Sequence, residues 1–170
     1  MRNPVLAAVT VAVLAVPALA GEKDMPAATK TPKSFDSLKA LVGEWRETKK
    51  EKEASTVRYD LVAGGTALME SINPGTDHSM ISIYHPDGDK IVMTHYCAVG
   101  NQPRMRGDGD SKSMTFTMVD ITNLPDPKAG HMEGLTITFV DQDHLVHEWR
   151  WRAGDKTEVH RFEVERKKSS

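Results

Sequence analysis

The sequence predicts an all-β domain, roughly ten antiparallel strands running up and down in a barrel, preceded by one short helix. Three observations predict it. From Trp45 onward short apolar and alternating segments follow one another, and helical periodicity does not return. The breaks between them are Gly-Gly, Asp-Gly and Gly-Asp pairs, the residues that tight hairpins favour. The chain of 170 residues contains one stretch that reads as an export signal, and its removal leaves about 150 residues, enough for one core.

That stretch comes first. Arg2 supplies the positive charge, an apolar run from Val5 to Leu19 is interrupted only by Thr10 and Pro17, and Ala18-Leu19-Ala20 precedes Gly21. Small residues at positions 18 and 20 are what signal peptidase reads, so residues 1–20 are a signal peptide and the mature protein is periplasmic or secreted. No later apolar stretch is long enough to span a bilayer as a helix, so the mature chain is not expected to be membrane-embedded. Residues 21–33, with Pro26 and Pro32 and little to bury, read as a flexible leader, and residues 34–168 as the barrel domain.

Ser34 is placed to cap a short helix whose Phe35, Leu38 and Leu41 form one apolar stripe. Strands are then expected near 43–50, 55–63, 66–73, 79–85, 90–98, 103–107, 111–120, 132–140, 144–152 and 157–166. Residues 121–131 form a long connection, either a lid over one barrel mouth or a crossover around the rim.

Charge excludes one class of partner. With 22 Lys and Arg against 24 Asp and Glu, interspersed, the chain has a formal net charge of −2 and no basic stripe for nucleic acid. Cys97 is the only cysteine, which rules out an internal disulfide and, in an apolar strand, reads as an inert buried thiol. No nucleophile elbow, P-loop or zincin signature is present. Arg106-Gly107-Asp108 is read as one arm and the tip of a hairpin, and the Asp-Gly-Asp turns lack the other oxygens of a calcium loop.

Turn positions set register, and register decides which side chains share a face. A Gly64-Gly65 loop sets Leu61 against Leu68, Tyr59 against Glu70 and Val57 against Ile72, which leaves Glu70 as a carboxyl on an apolar inward face. A Gly154-Asp155 loop sets Trp151 against Glu158, Trp149 against His160 and His147 against Phe162. A three-residue loop at 141–143 then meets Ile137 with His147, while His144 falls on the other face. With Asp87-Gly88 as the loop, Met80 faces His95, and Met93, His95 and Cys97 alternate along one face of a strand that is apolar on both sides. Soft sulfur with imidazole suits Cu(I), but core packing explains the same residues, and no metal site is assigned. An Asp108-Gly109 register puts Asn101, Met105, Met114, Phe116 and Met118 inward.

These positions supply the candidate ligand-binding residues Tyr59, Glu70, His95, Asn101, Met114, Phe116, His147, Trp149 and His160. An inward Glu70 must be neutral, paired or hydrogen-bonded, and the Tyr59 hydroxyl is its nearest expected partner; the alternative is a rim position with its head in water. His147 and His160 are either ligands or histidines hydrogen-bonded among Trp149, Trp151 and Phe162. Asn101 is either a ligand anchor or a turn residue bonded to its own backbone.

The segment Leu41-Val42-Gly43-Glu44-Trp45, after a short helix and opening the first strand, resembles the Gly-x-Trp opening of lipocalin-like, or calycin, barrels. It is similar in particular to secreted bacterial domains with a nitrobindin-like barrel, over about residues 34–166. The resemblance implies a calycin-type barrel whose Trp45 plugs one end and whose interior holds a small apolar or amphipathic molecule. It also implies an arginine of the last strand, Arg161 or Arg166, over that tryptophan, and it raises haem as a cofactor with the late His160 as axial ligand. Nitrobindin-type haem binders carry further glycines after the tryptophan, where Arg46-Glu47-Thr48 stand here. The expected function is binding of a small amphipathic molecule; the alternatives are an acid–base enzyme using Glu70 with His147 or His160, a haem-binding barrel, or an interaction barrel with a filled core. Neither the ligand nor the oligomeric state is legible.

Overall fold

A computed structural model describes residues 31–48 and 54–168. The expected signal peptide, most of the expected leader and the expected strand positions 49–50 lie outside the described residues. Helix α1 spans Lys33–Lys39, and ten strands follow: β1 Gly43–Glu47, β2 Thr56–Val62, β3 Ala67–Ile72, β4 Met80–Asp87, β5 Lys90–Tyr96, β6 Gln102–Gly109, β7 Ser113–Thr122, β8 His131–Phe139, β9 His144–Ala153 and β10 Lys156–Arg166. Every strand pairs antiparallel with its chain neighbours, and β1 also pairs with β10, through Trp45↔Arg166 and Glu47↔Val164, so the barrel is closed. Closure leaves no strand edge for another chain to extend.

Helix α1 starts at Lys33, one residue inside the expected leader. Ser34 therefore sits in the first turn and does not cap it: Pro32 occupies the N-cap position, with its carbonyl accepting from the Phe35 N–H at 2.9 Å and no side-chain cap. The apolar stripe is as expected, since Phe35, Leu38 and Leu41 are buried and join the barrel core.

That stripe closes the end of the barrel where β1 begins. Trp45 is fully buried, and its indole N–H donates to the Leu41 carbonyl at 2.8 Å. Of the two arginines left open by sequence, Arg166 lies over the indole, 4.2 Å from the ring centroid. Its guanidinium donates to the carbonyls of Ala40 (2.8 Å) and Val42 (2.7 Å) and to that of Gln142, and it pairs with Asp143. One side chain thus satisfies carbonyls left over where the helix ends while covering the plug.

Side-chain faces agree with the sequence reading even where turns do not. The Ala153–Lys156 and 141–143 turns give the expected pairs, Trp149↔His160, His147↔Phe162 and Ile137↔His147. The β2–β3 turn keeps its register, Tyr59↔Glu70, but as a four-residue loop over 63–66 with Ala63, Gly64 and Gly65 at positive φ. Leu61, although on the inward side, lies at the rim and is 43% exposed.

The β4–β5 loop is Gly88-Asp89, because Asp87 pairs with Lys90; Ser82, not Met80, therefore faces His95. The β6–β7 loop is Ser111-Lys112, where the Asp110 carboxylate accepts from the N–H groups of Lys112 and Ser113, so Asp108-Gly109 is strand, not turn. Arg106-Gly107-Asp108 accordingly lies inside β6, with Gly107 against the Phe116 ring, and not at a hairpin tip. Cys97 falls just past the end of β5, half-buried in a turn, and burial raises its thiol pKa.

Candidate functional site

The helix plugs one end of the barrel; the other end is where β2, β4, β6, β8 and β10 begin and where a cavity opens. Its volume is about 200 Å³. The wall is built from the strand ends at that pole: Val57 of β2, Ile72 of β3, Met80 of β4, His95 of β5, Met132 of β8, His147 and Trp149 of β9, and His160 and Phe162 of β10, with Ser55, Asn73 and Val164 completing it. No Lys, Arg, Asp or Glu is among these residues.

Beneath this wall, toward the plug, lies a polar cluster in which every member is buried. Glu70 has no exposed surface; its two carboxyl oxygens accept from the hydroxyls of Tyr59 at 2.8 Å and Tyr84 at 2.7 Å. Because the single Tyr59 proton goes to Glu70, the 3.1 Å contact between Tyr59 and His147 Nε2 requires the imidazole to carry its proton on Nε2 and donate it. His147 Nδ1 is 3.7 Å from Glu70, beyond hydrogen-bond length. A chain of donors thus runs from His147 through Tyr59 to Glu70, with Tyr84 entering from the other side.

Next to Tyr84 on β4, Ser82 meets His95, Oγ to Nδ1 at 3.0 Å. The other ring nitrogen of His95, Nε2, is buried without a hydrogen-bond partner. The His95 ring leans on Trp149, centroids 4.6 Å apart at 44°. Alternation along β4 explains the cluster: Met80, Ser82 and Tyr84 share one face, and a hydroxyl pair interrupts an otherwise apolar stripe. Ser82 and Tyr84 were missed from sequence, although that interruption was the signal for them.

Burial sets the protonation of the cluster. It pushes the hydroxyls of Tyr59 and Tyr84 well above the usual 10, with the nearby Glu70 adding to the effect, so both remain donors. It pushes His95 down to about 4 and lowers His147 too, against a smaller opposing pull from Glu70 in each case. Both imidazoles are therefore neutral at pH 7.

The structure brings together four of the nine sequence candidates, His95, His147, Trp149 and His160, in the cavity wall. His160 is on the exposed rim of the mouth. Tyr59 and Glu70 lie behind the wall and position His147. Met114 and Phe116 are inward but lie outside the lining: β7 occupies the opposite side, where Phe116 packs edge-on against Tyr84 at 5.4 Å. Asn101 is also outside it; its side-chain amide nitrogen donates to the Gly130 carbonyl at 2.9 Å, and its backbone carbonyl accepts from Cys97 N–H.

The connection between β7 and β8 joins two adjacent, paired strands, so it is a long hairpin loop along the open rim and not a crossover. Asn123 donates to the Gly100 carbonyl, Asn101 to that of Gly130, and the N–H of Gly154 to that of Lys128; no residue between 123 and 130 lines the cavity. Among the described residues no three His, Cys, Asp or Glu groups are placed to hold a metal ion.

The fold and site together define a closed, all-antiparallel ten-stranded barrel, plugged by a helix and a tryptophan at one end and hollow at the other. A scan against family models finds no match for the chain, and a search of curated proteins finds none.

Proposed function

We propose that this protein is an exported calycin-like barrel that holds a small, uncharged, largely apolar molecule in the cavity at its open end. The observation that carries this reading is the cavity itself: about 200 Å³ in volume, walled mainly by Val57, Ile72, Met80, Trp149 and Phe162, with few polar side chains, among them the neutral His95 imidazole, around it. An apolar pocket with few convergent polar groups is the usual form of a small-molecule site. An apolar cavity of roughly 150 Å³ is large enough to hold benzene, which sets the scale of the occupant at a ring with one or two substituents. The Trp45 plug under Arg166 supports the calycin likeness, and residues 1–20 support export to the periplasm or beyond.

The outer wall argues against a barrel in lipid. Its side chains form exposed ion pairs, Arg58–Asp60, Arg104–Asp120, Arg106–Asp87 and Arg161–Glu148, where a lipid-facing band would be apolar. No helix among the described residues is long and apolar enough to cross a membrane.

Haem does not fit the residues present. Pockets for drug-sized ligands run to roughly 300–1,000 Å³, and a porphyrin needs a wide slot, whereas Trp149 and Phe162 occupy the space beside His160. The acid–base alternative has little support, since both Glu70 oxygens are taken by tyrosines and both His147 nitrogens face the cluster instead of the cavity.

Native mass spectrometry of the protein purified from its own host tests the proposal. The expected result is an adduct of roughly 100–200 Da, the range of a substituted ring, lost on denaturation. Protein that carries no adduct, and whose unfolding temperature no small aromatic compound raises, would defeat it.

A further inference from the structure

Resting on the reading of the cavity as a binding site, we propose that His95 Nε2 receives the polar group of the bound molecule, which selects a small uncharged ring bearing one hydroxyl. Three features carry this. His95 lies in the cavity wall and is fully buried, yet Nε2 has no hydrogen-bond partner, while Nδ1 is engaged by Ser82 at 3.0 Å. A buried polar atom left unpaired destabilises the fold, so such atoms are rare and a partner entering the cavity gains what the fold forgoes. His147 offers no competing point of attachment, because Tyr59 holds its Nε2 and Nδ1 faces Glu70.

The hydroxyl follows from the ambiguity of the Ser82 bond. If Ser82 donates to Nδ1, Nε2 carries the proton and needs an acceptor; if Nδ1 donates to Ser82, Nε2 is bare and needs a donor. A hydroxyl serves both cases, whereas a carbonyl or an amine serves one. The absence of charge follows from the lining, which among the described residues has no Lys, Arg, Asp or Glu to neutralise an ion taken out of water. The ring follows from the flat Trp149 surface beside His95, from the Phe162 ring in the same lining and from a volume near 200 Å³. Nε2 has almost no accessible surface, so contact takes a small swing of the His95 ring, which one hydrogen bond and a tilted aromatic contact hold.

Phenol and toluene are the probes, two rings of near-equal size that differ in the hydroxyl. Titration calorimetry with each, on the wild type and on His95→Phe, gives the ratio of their affinities. The ratio of phenol to toluene binding is expected to fall about tenfold or more in the variant, the loss of one hydrogen bond. Phenol, unlike toluene, is also expected to shift the ¹⁵N resonance of the His95 side chain in the wild type, a readout that stands if the variant does not fold. Saturable binding of both probes with an unchanged ratio, or with no phenol-specific shift, would overturn the His95 assignment and leave the cavity as a site. Failure of both probes to bind would overturn the cavity reading as well.

Discussion

Replacing Tyr59 by Phe removes one oxygen from the centre of the barrel and leaves the ring in place. That oxygen makes two hydrogen bonds, donating to Glu70 at 2.8 Å and accepting from His147 Nε2 at 3.1 Å. All three residues are buried, so no solvent replaces the lost partner: one carboxyl oxygen and one imidazole N–H are left without it. Each such orphan costs about 1–3 kcal/mol, which puts the substitution at about 2–6 kcal/mol. Natural domains have about 5–15 kcal/mol in total, so the loss is a large fraction of stability. Tyr84→Phe deletes only the 2.7 Å bond to Glu70 and should cost about half as much. Urea unfolding of the wild type and both variants at pH 7 measures the order, and thermal midpoints should fall by about 5–15 °C for Tyr59→Phe. A Tyr59→Phe variant within about 0.5 kcal/mol of wild type, or one more stable than Tyr84→Phe, refutes the donor chain.

Stability should fall in acid through the histidines. Burial lowers His95 from its ordinary 6.5 to about 4, so the unfolded chain takes up a proton that the fold refuses; the contribution is full above pH 6.5 and is lost as pH drops toward 4, about 3 kcal/mol in all. His147 shifts in the same direction and adds to the loss. Urea midpoints measured from pH 7.5 to 4 check this, and His95→Phe should flatten the slope. At the plugged end, Arg166→Lys should destabilise by about 2 kcal/mol, because an ammonium cannot stack on Trp45 while reaching the carbonyls of Ala40, Val42 and Gln142; urea unfolding reads it, and a variant as stable as wild type counts against the plug. Gly107→Ala places a Cβ 2.3 Å from the Phe116 ring and should cost about 1–3 kcal/mol by the same assay, which would mark Arg106-Gly107-Asp108 as a packing element.

The sequence shows faces better than partners. Parity along a strand survives when a turn moves, provided the pairing shifts by an even number of residues, and both misplaced turns did so: Met105, Met114 and Phe116 remain inward with the loop at Ser111-Lys112 instead of Asp108-Gly109. What moves is the residue across the ladder, which is why Ser82 and not Met80 stands beside His95. Gly-rich pairs mislead here because Asp110 builds a turn from its own side chain, and the loop follows those bonds. The Tyr59–Glu70 bond was legible because the β2–β3 turn kept its register. The Tyr84 bond was not, since it depends on a third strand, and neither was the division of the interior into a packed half around Phe116 and a hollow half around Trp149. Inward position is a local property, whereas cavity formation depends on how side chains from every strand fill one volume.

The hollow half is the central claim, and a crystal of the protein equilibrated under xenon pressure tests it most directly, because xenon enters apolar cavities and scatters strongly. The expected result is a xenon peak at the open end of the barrel, among Val57, Ile72, Met80, Trp149 and Phe162. Side chains closed over that space, with no peak in it, would contradict the account.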